Sequence, residues 1–368
     1  MNIADFDYNL PPDLIAQRPL AQRDASRLMV VFRKEGKILH SRFGEFPEFL
    51  DKGDLLVVND TKVIPAKAFG KKEEKKIEFL FIKEKASGVW EALCRPAKHV
   101  KPGDRIVFVP GFEAEVIKAG LEGQRTLKFS TPDVVSHLRE VGYAPLPPYI
   151  KRKKSDAHLR PQDLDRYQTV FAEKEGAIAA PTAGLHFTPR IIEKIRQKGV
   201  QVARVTLDVG LATFQPMRVE RLEDHKMLEE TYSISERTAA EINQAKSEHR
   251  PVVAVGTTVV RTLESAAQAL KNHHPNGDPQ KKDKIYRERE SAFVPKIQSG
   301  RDNTSLFIYP GYEFKIVDRL LTNFHLPKST LLMLVAAFSG RELILQAYRE
   351  AISEKYRFFS YGDCMLII

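Results

Sequence analysis

The chain has 368 residues, and its content of 42% hydrophobic and 29% charged residues is typical of a soluble globular protein with two or three domains. Its two cysteines, Cys94 and Cys364, are too few for a disulfide framework or a cysteine-based zinc site, and its longest strongly apolar run, Leu331–Phe338, is too short to cross a bilayer. Lys and Arg exceed Asp and Glu by 58 to 48, and the net charge of +10 suggests a polyanionic partner, with nucleic acid as the first candidate. Since Asp5 and Asp7 stand where a signal peptide would be basic and then apolar, we expect a cytoplasmic protein without a membrane segment.

Basic residues are partly clustered along the chain. The clusters are Lys71-Lys72 with Lys75-Lys76, Lys151-Arg152-Lys153-Lys154, and Lys281-Lys282 with Lys284. Each cluster by itself is compatible with a solvated loop or with a phosphate-binding surface. Taken together, they favour a surface that follows a nucleic-acid backbone.

The pattern of the chain changes near residue 67. Asp54–Asp60 has the composition of a buried strand and ends in Asn59-Asp60-Thr61. Short strand candidates then follow, separated by Gly and Pro turn signals: Ile77–Phe79, Val89–Cys94, Arg105–Val109, Ala114–Ile117 and Thr126–Phe129. This pattern predicts a small β-barrel, followed by a stiff Pro-rich linker at Pro145–Pro148. We therefore predict an α/β domain of residues 1–66 and 151–368, with the barrel and the linker inserted at 67–150.

The second half of the chain predicts further α/β structure. Three successive segments form a β-loop-α-β unit: a strand within Gly176–Pro181, a helix capped by Thr188-Pro189 and ended by Gly199, and a strand within Val200–Gly210. Val252–Val255 is a further buried strand that leads into a helix, and Asn272–Lys284 is a polar loop.

Polar loops follow three of the predicted strands and lead into helix starts. They are Pro181–Thr188, Val255–Arg261 and Thr322–Thr330, and a fourth strand ends at Asn59-Asp60-Thr61. In open α/β folds ligands bind where such loops meet, and the positive helix ends favour a carboxylate or a phosphate. If the loops converge, they form a cleft lined by hydroxyls, backbone N–H groups and two histidines. Ser329 is placed to cap the last helix, while Arg261 could bind a carboxylate or form a salt bridge.

Five titratable side chains are candidates for proton transfer: His186, Asp208, His225, Glu230 and His325. His186 and His325 stand out because they lie in polar loops beside predicted helix starts, and Asp208 ends a strand that could project toward the same cleft. The chain contains no Gly-x-Gly, so it lacks a dinucleotide fingerprint and the usual methyltransferase glycine loop. We expect no metal site.

Eight segments match a known family in order along the chain. They are Asp54–Ala66, Gly142–Ile150, Arg166–Val170, Ala180–Phe187, Thr213–Pro216, Ala254–Ser265, Leu321–Leu331 and Lys355–Asp363. From Asp5 to its C-terminus the chain therefore resembles the S-adenosylmethionine:tRNA ribosyltransferase-isomerases, enzymes of queuosine biosynthesis in bacterial tRNA.

The resemblance implies both a fold and a reaction. The implied fold is α/β, with a larger catalytic domain that has a barrel-like, mixed sheet and an inserted small all-β barrel domain. In the implied reaction, the ribosyl part of S-adenosylmethionine is transferred to the 7-aminomethyl-7-deazaguanine (preQ1) base of a tRNA anticodon and isomerised. The product is epoxyqueuosine, and adenine and methionine are released. S-Adenosylmethionine is thus a cosubstrate, no further cofactor is implied, and tRNA bearing preQ1 is the partner.

This chemistry needs a base that removes a proton next to the sulfonium and an acid that protonates adenine. We assign these roles to His186 and His325, with Asp208 in support. The residues that we expect to bind substrate are Thr257, Thr258, Arg261, Ser329 and Thr330 for the methionine carboxylate or the ribose hydroxyls, and Asn59, Asp60, Thr61, Thr182 and Gly184 for the flipped-out base.

Two positions depart from the family pattern. The family carries His-Val-Gly-x-Gly where this chain has Asp208–Ala212, and a histidine where this chain has Leu228. Neither position therefore supplies an indispensable histidine base, unless Asp208 substitutes for one. This leaves His186 and His325 as the better candidates.

Two other functions are open on the sequence alone. A non-catalytic RNA-binding module would use barrel aromatics such as Phe79, Phe81 and Trp90 for base stacking, but it does not explain the polar strand-end loops. A different nucleoside-using transferase or hydrolase on a similar scaffold would differ in its product. We expect a monomer, because the sequence contains neither heptads nor an obvious hydrophobic strip for self-association.

Overall fold

The computed structural model describes residues 1–210, 217, 219–272 and 295–368. The predicted polar loop beyond residue 272, the basic cluster at 281–284, the Thr213–Pro216 motif and residues 211–212 lie outside the described residues. The chain forms two compact units. The first contains Met1–Asp60, Pro181–Leu207 and the described residues of Gln215–Ile368, and the second contains Thr61–Ala180 and the described residues of Asp208–Phe214.

The strands of the described residues are, in chain order, β1 (Arg27–Phe32), β2 (Lys37–Arg42), β3 (Leu55–Asn59), β4 (Thr61–Val63), β5 (Lys67–Lys72), β6 (Lys75–Ala86), β7 (Val89–Arg95), β8 (Arg105–Val109), β9 (Phe112–Ala119), β10 (Gln124–Phe129), β11 (Lys174–Ala177), β12 (Gln201–Leu207), β13 (Glu230–Ile234), β14 (Val252–Val255), β15 (Gly300–Thr304), β16 (Arg319–Asn323) and β17 (Cys364–Ile367).

The α-helices are α1 (Val134–Val141), α2 (Arg160–Arg166), α3 (Pro189–Gln197), α4 (Glu236–Ser247), α5 (Thr257–Asn272), α6 (Thr330–Ser339) and α7 (Arg341–Ser353). Short 3-10 helices cover Ile3–Phe6, Pro12–Leu14, Arg23–Ala25, Phe43–Phe49, Ala97–His99, Leu121–Gly123, Lys154–Leu159, Thr182–His186 and Leu222–Asp224. Among the described residues no single helix is long and apolar enough to cross a membrane, and α6 and α7 pass that test only as a pair bent by 115°.

The first unit is built on one mixed sheet of nine strands in the order β15-β13-β12-β3-β14-β16-β17-β1-β2. Its centre, β12-β3-β14-β16, is parallel. Every residue of β3 and β14 is buried, which is expected of central strands in a sheet covered on both faces. Because parallel strands point the same way, their last residues lie at one edge of the sheet. We call this edge, which contains Asn59, Leu207, Val255 and Asn323, the carboxyl edge.

The predicted β-loop-α-β unit is only partly present. As expected, Thr188 caps α3 by accepting a hydrogen bond from the N–H of Ile191 at 3.3 Å, Gly199 follows the helix at φ +82°, and a strand, β12, comes next. β12 pairs in parallel with β3. The first strand of the predicted unit is elsewhere. β11 pairs with β4 in a two-stranded parallel sheet of the second unit, where Ala177 accepts a hydrogen bond from the N–H of Ile64. The two strands that flank α3 in the chain, β11 and β12, therefore belong to different sheets.

The second unit contains a closed barrel in the strand order β10-β7-β6-β5-β8-β9. Along β6, alternate residues point inward, and Ile77, Phe79 and Phe81 are fully buried. Gly70 on β5 also points inward, and a methyl group there would approach Cγ2 of Ile106 to 2.5 Å, so glycine is needed. The predicted short strands all lie within β6–β10. The predicted fold class, a mixed α/β sheet with a small all-β barrel, is confirmed.

Two expectations about this unit are changed by the structure. Phe79, Phe81 and Trp90 form part of the barrel core, with Trp90 only 5% exposed, so they cannot stack on bases as the RNA-binding alternative required. The compact unit is also larger than the predicted insert of 67–150, because the pairing of β4 with β11 brings residues 61–66 and 151–180 into it.

Candidate active site

The carboxyl edge brings together several of the polar loops that follow the strands. The side-chain amide of Asn59, at the end of β3, lies 3.5 Å from Oγ1 of Thr258, which follows β14. Gly256, between β14 and α5, lies beside the 3-10 helix Thr182–His186, because a methyl group on it would be 3.6 Å from Cβ of Ala183. The loops after β3 and β14 therefore meet this 3-10 helix at one edge.

His186 lies at the same edge, between Ser26 and Asn323. The side chain is buried; its Nδ1 is 2.7 Å from Oγ of Ser26, and its Nε2 is 3.1 Å from the amide nitrogen of Asn323. An amide nitrogen can only donate, so Nε2 accepts this hydrogen bond and Nδ1 carries the ring proton. Both ring nitrogens of His186 are thus occupied within the protein.

The surroundings of His186 keep its imidazole neutral. Burial, and then two nearby arginines, lower its pKa from 6.5 to about 3. To receive a proton at Nε2, Asn323 would have to turn its oxygen toward the ring. It would then lose its hydrogen bonds to the carbonyls of Phe359 and Asp363, at 3.1 and 3.4 Å. His186 is therefore a poor proton acceptor and serves as a link between segments of the carboxyl edge.

His325 follows β16 and is held differently. Its Nε2 lies 2.7 Å from Oγ1 of Thr322, its backbone N–H donates to the hydroxyl of Tyr348 at 2.9 Å, and its carbonyl accepts from the hydroxyl of Tyr8. Burial lowers the pKa of His325 from 6.5 to about 3, so it too is neutral. Its Nδ1 makes no hydrogen bond with the described residues. Of the four ring nitrogens of the two histidines, this is the one left for a ligand.

Asn59 and Asp60 bind the neighbouring strand. Nδ2 of Asn59 donates to the carbonyl of Leu207 at 3.1 Å, and Oδ1 accepts from the N–H of the same residue at 3.2 Å. Oδ1 of Asp60 accepts from the hydroxyl of Thr206 at 2.6 Å, and both side chains are buried. These contacts fix the loop after β3 against the end of β12.

The starts of α5 and α6 follow β14 and the β16 loop. Ser329 caps α6 by accepting from the N–H of Leu332 at 3.2 Å, as the sequence predicted. Thr257 is buried, whereas Thr258, Thr330 and, in the 3-10 helix before α3, Thr182 are partly exposed. In that 3-10 helix, buried Gly184 donates its N–H to the carbonyl of Pro181 at 2.8 Å. The first N–H groups of each α-helix have no partner within the helix and favour an anion there.

Arg261 forms a buried ion pair. Its Nη1 contacts the carboxylate of Glu230 on β13, and its Nε donates to the carbonyl of Leu306 at 3.1 Å. Arg261 is 5% exposed and Glu230 is 4% exposed. Of the two interpretations open on the sequence, the salt bridge is the one present. The guanidinium is thus committed to the protein.

Thr61 and Asp208 belong to the second compact unit. Oγ1 of Thr61 lies 3.4 Å from Oδ1 of Asp208. A methyl group on Gly176 would approach the same oxygen to 2.9 Å, so glycine lets the chain pass close to this carboxylate. The structure therefore brings these two predicted residues together.

Two further positions from the sequence analysis, His225 and Leu228, make no contact described above with the carboxyl edge. His225 packs its ring against Phe307 at 5.1 Å, and burial lowers its pKa. Leu228, where the family carries a histidine, is 45% exposed. The described residues contain no group of three or more His, Cys, Asp or Glu side chains that could hold a metal ion.

Sequence reasoning did not find Ser26, Tyr8 or Tyr348. Ser26 is 160 residues from His186, and Tyr8 is 317 residues from His325. No local spacing links such pairs, because only the folded sheet brings their segments together. The one sequence signal that could have pointed to Ser26 is its position as a polar residue directly before the buried strand β1.

The fold and the site together define an α/β protein with a closed β-barrel and a polar carboxyl edge that carries two neutral histidines. Residues 3–367 match the protein family described as "Queuosine biosynthesis protein". The chain belongs to this family.

Curated relatives match over the whole length. Proteins named S-adenosylmethionine:tRNA ribosyltransferase-isomerase from Thermotoga maritima and Halothermothrix orenii are 47% and 46% identical, each over 100% of both chains. The crystal structure of S-adenosylmethionine tRNA ribosyltransferase from Thermotoga maritima matches with a TM-score of 0.52 and 38% identity, over 99% of this chain and 100% of that one.

Proposed function

We propose that this chain is an S-adenosylmethionine:tRNA ribosyltransferase-isomerase of queuosine biosynthesis. The observation that carries the proposal is the match to relatives of that name at 46–47% identity over the full length of both chains. The enzyme transfers and isomerises the ribosyl part of S-adenosylmethionine onto the preQ1 base of tRNA. It forms epoxyqueuosine-tRNA and releases adenine and methionine.

The base in this proposal is His325. In its neutral imidazole the ring proton is on Nε2, beside Oγ1 of Thr322, so Nδ1, which makes no hydrogen bond with the described residues, is the atom that can accept a proton. Nδ1 takes the proton next to the sulfonium, and the imidazolium formed then carries the proton that the departing adenine needs. A positioned base of this kind contributes about 10²–10⁴-fold in rate. His186, with both nitrogens occupied, positions the loops around the reaction instead.

Substrate binding falls to the helix starts and the neighbouring loops. The partly exposed Thr258 and Thr330, with Thr257 and the N-cap Ser329, present backbone N–H groups to the methionine carboxylate or to ribose hydroxyls. Arg261 is left out, because its charge is balanced by Glu230.

The loop after β3 and the 3-10 helix that ends at His186 would hold the flipped-out base. Asn59, Asp60, Thr182 and Gly184 are the residues concerned. Thr61 and Asp208, which hydrogen-bond to each other in the second unit, keep their proposed parts as a base contact and a supporting carboxylate.

The partners follow from the reaction. The macromolecular substrate is tRNA with preQ1 in the anticodon, S-adenosylmethionine is the cosubstrate, and no further cofactor takes part. We place the enzyme in the cytoplasm and expect a monomer, which light scattering at micromolar concentration checks.

Mass spectrometry of a preQ1-bearing anticodon stem-loop, incubated with the chain and S-adenosylmethionine, tests the function. The expected result is a mass gain that matches the ribose-derived epoxide, together with free adenine. A methyl-sized gain would identify a methyltransferase instead. An unchanged RNA that remains bound would leave only a binding module.

A further inference from the structure

The hairpin β5–β6 of the barrel carries basic residues that the proposed chemistry does not use. Lys71 lies directly opposite Lys76 in the antiparallel ladder, and Lys72 lies directly opposite Lys75. Like charges directly opposite each other destabilise a hairpin. Two such pairs in succession therefore weaken the hairpin unless a negative partner binds there.

The protein itself balances only part of this charge. Lys72 forms a salt bridge with Asp104 at 2.8 Å, and Lys67 forms one with Glu78, also at 2.8 Å. Lys71, Lys75 and Lys76 are exposed and have no acidic partner within the described residues. Glu73 and Glu74 occupy the hairpin turn, and within the described residues neither forms a salt bridge with a lysine of the hairpin. On the outer face, the ammonium groups of Lys71 and Lys76 are thus left for a polyanion.

An aromatic residue lies between these lysines. Phe69, in the middle of β5, is partly exposed on the outer face, because its neighbours Ala68 and Gly70 point into the barrel. The ammonium of Lys76 lies 4.2 Å from the centre of its ring, and that of Lys67 lies 5.6 Å away. Along β5, successive outward residues are about 7 Å apart. Cations and an aromatic ring therefore alternate along one strand.

A second aromatic extends the same surface. The ring of Tyr143 packs edge-on against Phe69 with centroids 5.6 Å apart, and the guanidinium of Arg160 lies 5.6 Å from the Tyr143 ring. Tyr143 and Arg160 are partly exposed and belong to the same compact unit as β5. A basic groove with aromatic rings for stacking is the usual surface for single-stranded nucleic acid.

We propose that the outer face of the β5–β6 hairpin, formed by Phe69, Lys71 and Lys76 with Tyr143, binds the unpaired backbone and a stacked base of the tRNA substrate. The proposal rests on the proposed function for the identity of the RNA. It replaces Phe79, Phe81 and Trp90, which are buried, as the stacking residues of the barrel.

The barrel offers a matched control on its opposite side. In the closed strand order, β9 and β10 lie across from β5 and β6. Lys118 on β9 and Lys128 on β10 are exposed. The variants K71E/K76E and K118E/K128E change the net charge equally, so they separate a specific surface from general electrostatic attraction.

The experiment measures the Kd of an anticodon stem-loop without S-adenosylmethionine at several salt concentrations. K71E/K76E should weaken binding at least tenfold and lower the salt slope by about two, one for each lost phosphate contact. F69A should weaken binding roughly tenfold, whereas F69Y should retain affinity because the ring remains. K118E/K128E should bind as the unaltered chain does.

Equal losses in both double variants, or full affinity in K71E/K76E, would overturn the proposed surface. Thermal unfolding of each variant shows whether a loss comes from an unfolded barrel, and the F69A and F69Y pair decides the case if K71E/K76E does not fold. Epoxide formation by the unaltered chain is scored separately. If the unaltered chain forms the epoxide and K71E/K76E binds RNA as tightly as the unaltered chain, only the proposed surface is rejected. If K71E/K76E binds RNA more weakly and the unaltered chain forms no epoxide, only the proposed function is rejected.

Discussion

The amide of Asn323 donates a hydrogen bond to Nε2 of His186 across 3.1 Å, and so joins two segments that are 137 residues apart in the chain. The same amide nitrogen reaches the carbonyls of Phe359 and Asp363, while the side-chain oxygen of Asn323 is buried without a hydrogen-bond partner in the described chain. Three carbonyl or imine acceptors around one amide hold its orientation, while burial and two nearby arginines keep His186 neutral. The two histidines of the carboxyl edge are thus unequal: one is occupied and one is open.

Replacing His325 should slow the chemistry more than replacing His186. H325N removes the proposed base, and we expect the single-turnover rate at saturating substrates to fall by about 10²–10⁴-fold. H186N should instead lower the free energy of unfolding by about 1–3 kcal/mol, because Ser26 and Asn323 lose a buried partner. Rapid-quench assays and urea unfolding of both variants measure the two effects. A full chemical rate in H325N would reject the base assignment.

The free energy of unfolding should decrease as the pH is lowered from 7 to 5, because two buried histidines resist protonation in the folded protein. Burial lowers the pKa of His186 and of His325 from 6.5 to about 3, so between these values the unfolded chain binds a proton at each site that the folded chain does not. The free energy of unfolding therefore decreases as the pH falls below 6.5, by about 2 kcal/mol per histidine between pH 7 and pH 5. H186N and H325N should each make this dependence shallower by about one proton.

Urea unfolding at pH 7, 6 and 5 checks this pH dependence. The exposed His158 supplies the control, and H158N should keep the slope of the unaltered chain. If H186N and H325N also keep that slope, the two imidazoles are not neutral in the folded protein.

The ion pair of Arg261 with Glu230 should contribute to stability rather than to substrate binding. R261M removes the charge that balances a buried carboxylate, and we expect a loss of about 3–5 kcal/mol in the free energy of unfolding. The double variant R261M/E230M should cost less than the sum of the single variants. R261K keeps a positive charge beside Glu230 and should leave the KM for S-adenosylmethionine nearly unchanged. A large rise in that KM would return Arg261 to the substrate site.

The start of α6 should bind substrate as well as stabilise the helix. Ser329 and Ser235 cap α6 and α4 in the same way, with hydrogen bonds from Leu332 and Thr238 at 3.2 and 3.1 Å. S329A and S235A should therefore each cost about 1 kcal/mol in stability. α4 follows β13, which runs antiparallel to β12, and Ser235 is not among the residues proposed to bind substrate. Only S329A should raise the KM for S-adenosylmethionine, and equal KM values in both variants would contradict this role.

Local sequence patterns predicted the features that depend on residues close together in the chain. The caps Thr188 and Ser329 stand directly before the helices whose N–H groups they accept, and the fully buried β3 and β14 are continuous apolar runs. The barrel strands were visible because inward and outward residues alternate between turn signals. In each case the physical cause acts within a few residues, so no knowledge of the fold was needed.

The sequence by itself therefore determined the α/β class, the small all-β barrel, the polar loops at the strand ends and the family. Only the tertiary structure decided that His186 is occupied by Ser26 and Asn323, and that Arg261 is neutralised by Glu230. It also decided that the barrel leaves Phe69 partly exposed and buries Phe79. The reason is that hydrogen bonds, charge pairing and burial depend on which distant segments meet. That is set by the order and register of the strands, and neither can be read from local spacing.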